Sequence, residues 1–171
     1  MVMAREAEIT FHDDIMVGYR HYNTKGIETA YPFGFGLSYT TFEYESLELS
    51  NNQIEQALTV SVTIKNTGEF SGKEVVQLYL SAPGLAIEKP AMELKGFAKT
   101  RLLQPGEQQT LTMDLNPKDL ASFDTAQSAW VAEAGTYTVK IGASSTDIRL
   151  EKNFIAANMI VEKVSKVLVP K

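Results

Sequence analysis

The run LTVSVTIK, from Leu58 to Lys65, alternates apolar and polar side chains without a break. A repeat of two is incompatible with a helix and describes a strand with one buried face. Leu58, Val60, Val62 and Ile64 point one way; Thr59, Ser61, Thr63 and Lys65 point the other. NTG at Asn66–Gly68 is turn chemistry, since Asn and Gly tolerate positive φ. A second run puts Val76, Leu78 and Leu80 on one face and stops at APG, Ala82–Gly84. MELKGFAKTRLL reads as one or two short strands interrupted at Gly96. After the Pro105–Gly106 turn, Leu111, Met113 and Leu115 share a face. NPKDLASFD fits one helical turn or a short loop. SAWVAEAG, GTYTVKIGASS (Tyr137, Val139 and Ile141 inward) and DIRLEKNFIA complete the set. About seven strands with turns at this spacing predict an all-β antiparallel sandwich. No helical period is sustained between Leu47 and Ala156, and there is no internal repeat.

The two ends read differently. Ile15, Val17, Tyr19 and His21 alternate, which predicts a strand near Asp14–Tyr22. In the tail, the spacing of Ile160, Val164 and Val167 suits a helix, whereas the valine content favours a strand; both stay open.

Between them, Ala30–Tyr44 (AYPFGFGLSYTTFEY) packs six aromatics, two glycines and a proline into fifteen residues. Pro32 holds Tyr31 extended. As an extended strip, Phe33, Phe35, Leu37 and Tyr39 share one face, and Gly34, Gly36, Ser38 and Thr40 the other. One face is large and apolar, while the other lets a backbone approach closely. Such a strip predicts a seam between two bodies. An aromatic platform for sugar is the functional alternative, but apolar runs of this size are more often covered than displayed.

The composition narrows the partners. The 171 residues suffice for one domain with a core and an appendage. The formal charge of -5, with no block of like charge, argues against nucleic acid and anionic membranes. There is no cysteine, which excludes disulfides, thiolate metal sites and a cysteine nucleophile. No apolar stretch approaches the roughly 20 residues of a membrane span, and the N-terminus has charges where a signal peptide is apolar. The compartment is left open, because an export signal can lie on a longer parent.

Several motifs in order carry a family likeness. DDIMVGYRHYNTKGIETAYPFGFGLSYTTFEY resembles the end of the second catalytic domain of family 3 glycoside hydrolases, the β-glucosidase group. VTIKNTGEFSGKEVVQLYLSAP, ELKGFAKTRLLQPGEQQTLTMDL and GTYTVKIGASSTDIRL resemble the fibronectin type III-like domain that follows it. The likeness runs from Asp14 to about Ala156. It departs at Asn23, where the family usually has Asp, and in the tail. It implies an immunoglobulin/fibronectin type III-like sandwich. The family hydrolyses β-linked sugars with an aspartate in an N-terminal (β/α)₈ barrel and an acid/base group in an α/β domain. Both motifs lie upstream of the matched segment, so no catalytic residue carries over.

The chain's own candidates for chemistry are thin. Retaining glycoside hydrolysis needs two carboxylates roughly 5 Å apart. Asp13 and Asp14 are neighbours, and strand neighbours point to opposite faces. His12 and His21, with Glu8, Asp13 and Asp14 nearby, lack the third ligand of a zinc site. No GxSxG elbow supports a Ser-His-Asp triad, and GFG at Gly34–Gly36 lacks the strand and helix of a phosphate loop. Trp130, the sole tryptophan, reads as core or seam, with a sugar platform as the alternative. On the strand reading, Arg20 lies opposite Val17 and Tyr19, where it can pair with an acid on a neighbouring domain or stack on an aromatic.

The expectation is therefore a non-catalytic accessory domain of a β-glucosidase-like enzyme, needing no cofactor or metal. Residues 1–41 form the end of the preceding region and the aromatic linker, 42–157 the sandwich, and 158–171 a tail. Arg20, Tyr31, Phe33, Phe35, Leu37 and Tyr39 are its candidate seam residues. Its expected partners are the parent's catalytic domains, or a second copy where those are missing. The chain fits an expressed fragment or a truncated gene equally. The rivals are a protein-adhesion module and a carbohydrate-binding module. The latter draws on Phe70, Tyr79, Phe97, Phe123, Trp130, Tyr137 and Phe154. Most of these alternate with polar residues as buried side chains do. Tyr79 is the exception, on the face opposite Val76, Leu78 and Leu80.

Overall fold

The structure, a computed structural model, describes residues 15–165. Asp13, Asp14, His12, Glu8 and Val167 lie outside them, so the readings on those residues go no further.

The alternating runs become strands paired mainly with antiparallel neighbours. A three-stranded sheet has the order β1-β3-β6, formed by Phe42–Leu49, Leu58–Asn66 and Gln108–Leu115. A five-stranded sheet runs β2-β10-β9-β4-β5: Gln53–Ile54, Ile148–Ala156, Gly135–Gly142, Val75–Ser81 and Glu93–Lys99. Only its β2–β10 pair is parallel. The core lies where the two sheets' apolar faces meet. Leu58, Val60, Val62 and Ile64 of β3 and Val76 and Leu78 of β4 have no exposed surface. Tyr137 and Phe154 stack across β9 and β10 with ring centroids 5.5 Å apart. The all-β sandwich follows from the alternation as expected.

Eleven strands form among the described residues rather than about seven. β1 begins at Phe42, five residues before the expected strand pattern, because a bulge between Tyr44 and Ser46 shifts its register against β3. The bulge breaks the alternation by one residue, which hides the strand from a period-two reading. MELKGFAKTRLL yields one strand, β5, in which Lys95 is the extra residue between Gly96, opposite Leu78, and Leu94, opposite Tyr79. A small third sheet joins β11 (Met159–Lys163), β8 (Ala129–Ala132) and β7 (Ser122–Asp124). The strand reading thus holds over residues 159–163, where Ile160 and Val161 are β-branched. NPKDLASFD contains one helical turn, α2 (Pro117–Leu120), closed by a capping box between Asn116 and Asp119.

Two expectations fail. The described part of the segment near Asp14–Tyr22, residues 15–22, is not a strand: Tyr19–Lys25 form helix α1, ended by Gly26 at φ 64°. The alternating residues do not share a buried face: Tyr19 packs on Tyr79 of the sandwich, whereas Val17 is exposed. The NTG turn also works differently. Neither Asn66 nor Gly68 takes a positive φ. Gly68 is needed for space, since a Cβ there would collide with Thr40. Asn66 is fully buried and fully used. It donates to Phe70 O and Leu103 O at 2.8 and 2.9 Å, and accepts from Thr40 Oγ1 and Gly68 N at 2.7 and 3.1 Å.

Candidate functional site

Residues 15–41 form an arm laid on the outer face of the five-stranded sheet, and polar anchors hold it there. Gln77 is central. This amide sits in the apolar run VVQLYL and is 5% exposed. Its Nε2 donates to Gly34 O at 3.1 Å and Ala143 O at 2.7 Å, and its Oε1 accepts from Tyr79 Oη at 2.5 Å. Gly34 has φ 80° in a turn closed by Phe35 N to Pro32 O at 3.1 Å. Glycine is needed there twice over, for its φ and because a Cβ would overlap the Gln77 amide.

The loop after β9 supplies the second anchor. Ser145 N donates to Phe33 O at 2.9 Å, and Asn23 Nδ2 donates to Ser145 O at 2.6 Å. An ionised aspartate at this position could not make the bond, because a carboxylate cannot donate to a carbonyl. Tyr19 and Thr24 accept from Leu94 N and Ala91 N at 2.8 and 2.9 Å.

The aromatic strip is not one extended face. The Pro32–Phe35 turn breaks its alternation, so its side chains go separate ways. Phe33 stacks on Tyr19 at 4.6 Å, and Tyr19 meets Tyr79 edge-on at 6.0 Å. Tyr79 is fully buried beneath this stack, and burial pushes its hydroxyl pKa up. It cannot be a sugar platform. Phe35 tilts against Tyr31 with centroids 5.5 Å apart. Tyr31, Phe35, Leu37 and Tyr39 are 75%, 48%, 90% and 96% exposed. Arg20 pairs within the chain, with Glu93 of β5 at 3.1 Å. His21 packs against Tyr22.

Between the arm and the sheet runs an open groove of about 840 Å³. Phe35, Leu37 and Phe97 supply apolar walls, and Lys73 and Lys99 also line it. Glu74, Arg149 and Asp147 line it as well. The Arg149 guanidinium grips Asp147 through two contacts of 3.1 and 2.8 Å, reaches Phe42 O at 2.9 Å, and lies 4.7 Å over the Tyr44 ring. Its hydrogen bonds hold the Asp147 carboxyl below the usual range. Tyr44 Oη donates to Glu74 Oε1 at 2.9 Å; burial raises the pKa of both groups.

The remaining aromatics divide. Tyr137 and Phe154 are buried as the alternation suggests, but Phe70, Phe97 and Phe123 are 62%, 70% and 40% exposed. Phe123 meets Trp130 at 62°, an edge contact rather than the coplanar pair a sugar platform requires. Sequence reasoning picked out the strip but missed Tyr19, Asn23 and Ser145. The usable signal was Gln77, a lone amide inside an apolar strand.

Comparison with known proteins agrees with this architecture. A fibronectin type III-like domain model matches residues 74–145. The chain is 42% identical to β-glucosidase A of Butyrivibrio fibrisolvens over 95% of its length, but spans only 22% of that protein. It is 43% identical to β-glucosidase BoGH3A of Bacteroides ovatus, over 81% of this chain and 19% of the relative. Among solved structures, β-glucosidase 3B of Thermotoga neapolitana in complex with α-D-glucose superimposes with a TM-score of 0.81 at 48% identity. That match covers 86% of this chain and 21% of the other. The chain thus spans about a fifth of the relatives it matches, and it belongs with the C-terminal, fibronectin type III-like region of the β-glucosidases of glycoside hydrolase family 3.

Proposed function

We propose that this chain is a non-catalytic accessory part of a β-glucosidase-like glycosidase, and that its arm-bearing face braces the catalytic region. The observation that carries the reading is the arm's division of labour. Its backbone and polar groups bind the sandwich, while Phe35, Leu37 and Tyr39 stay exposed. Large apolar side chains left exposed along one segment favour a contact with another body. The chain brings the scaffold, and the chemistry resides in the part of the parent outside it. Its residues 1–41, 42–157 and 158–171 then act as linker, sandwich and tail.

The test is a hybrid in which this chain replaces the matching part of the Thermotoga neapolitana enzyme. Replacing Phe35 and Leu37 with Ser should lower the hybrid's melting temperature and leave that of the isolated chain unchanged. Each apolar side chain covered in the hybrid contributes about 1.5–3 kcal/mol. The isolated chain should not turn over an aryl β-glucoside. Turnover that survives repurification, or equal melting shifts in hybrid and isolated chain, refutes the bracing reading.

A further inference from the structure

The groove refines the bracing reading, on which this inference rests. Most of its polar groups are already engaged. The Gln77 amide serves Gly34, Ala143 and Tyr79, and Ser144 Oγ accepts from the N–H groups of Thr146 and Asp147. Arg149 is held by Asp147 and Phe42 O, and Glu74 by Tyr44. A saccharide needs several free partners for its hydroxyls, and the groove offers few. What it does present is apolar: Phe35, Leu37 and Phe97, 48%, 90% and 70% exposed. It also presents two ammonium groups. Arg20, Lys95 and Arg149 each have an acidic partner within 4 Å, whereas no ion pair among the described residues includes Lys73 or Lys99.

We propose that the groove seats an extended apolar segment flanked by Asp or Glu from the catalytic part of the parent, with Lys73 and Lys99 pairing its acids. Polypeptide to supply it exists, since the matched relatives are about five times longer than the region they share with this chain. A second copy is a poorer occupant, because each carries a formal charge of -5. Rim charges of this kind set partner choice and association rate more than raw affinity.

The probe is an array of overlapping short peptides covering Butyrivibrio fibrisolvens β-glucosidase A outside the matched region. The full chain should retain peptides with an apolar centre and acidic flanks. Lys73→Glu with Lys99→Glu should weaken retention about tenfold at low salt, and the gap should close near 1 M salt, where screening acts over about 3 Å. Both lysines are exposed, so an unchanged melting temperature certifies the variant's fold. Retention of basic or uncharged peptides, retention indifferent to the lysines, or no retention each overturns the proposal. So does binding of a soluble β-glucan oligosaccharide that Phe97→Ser abolishes. If Phe35→Ser weakens the hybrid enzyme while the lysine variant does not, bracing stands and the acidic partner falls.

Discussion

The sandwich core and the arm bury aromatic and aliphatic side chains by opposite means. In the core, apolar groups meet each other: Val62 and Leu78 have no exposed surface, and Tyr137 stacks on Phe154. In the arm, hydrogen bonds do the holding, and much of the apolar surface stays outside. Gly34, Phe33 and Asn23 are each tied to the sandwich by a hydrogen bond, while Leu37 and Tyr39 are almost wholly exposed. A core assembled by area tolerates little loss of volume. A segment assembled by a few directional bonds can be released one bond at a time. On the bracing proposal, the arm is the part whose exposed apolar surface a second body would cover.

The largest effect should come from the core. Val62→Ala or Leu78→Ala should cost about 2–4 kcal/mol, read from denaturant unfolding. A loss below about 1 kcal/mol at both sites would place them with surface positions and erase the contrast.

Gln77→Ala comes next. It removes three hydrogen bonds and leaves the buried Tyr79 hydroxyl without its acceptor, a loss of about 1–3 kcal/mol. Amide exchange should then show Tyr19–Lys25 losing protection while Leu58–Ile64 keep theirs. Equal loss in both segments would mean that arm and sandwich open as one unit.

Asn23→Asp should have the smallest effect, about 1 kcal/mol at neutral pH, because a carboxylate faces the Ser145 carbonyl. The sign with pH is fixed. The protonated carboxyl can donate as the amide does, so the folded state raises its pKa above that of the unfolded chain. The defect should therefore fade as pH falls toward about 4. A pH-independent loss would show that this bond does not anchor the arm.

These contrasts also explain what was legible beforehand. A period of two reads directly wherever one face meets a core, so β3, β4, β6 and β9 were visible in the sequence. β1 was hidden by a one-residue bulge, and α1 by an alternation whose first half, Ile15 and Val17, lies before the helix. The strip's aromatics stood out in the sequence as a candidate seam. Their arrangement was not, because it depends on a turn at Gly34 and on Gln77, 43 residues away. Long-range polar anchoring leaves no periodic trace. The Phe33–Tyr19–Tyr79 stack likewise joins residues whose separation in the chain is unrelated to any helical or strand repeat.

The two hydrogen bonds from Leu94 and Ala91 to the arm have a further consequence. β5 is the last strand of its sheet, and such an edge presents unpaired amides on which another chain can pair. Tyr19 and Thr24 occupy two of the amides in and beside this strand, and Lys95 bulges out of its line. The arm is therefore also a guard against aggregation. A chain shortened to begin at residue 42 would keep its core yet bare that edge, and its failure in solution would be a slow growth of intermolecular sheet rather than unfolding.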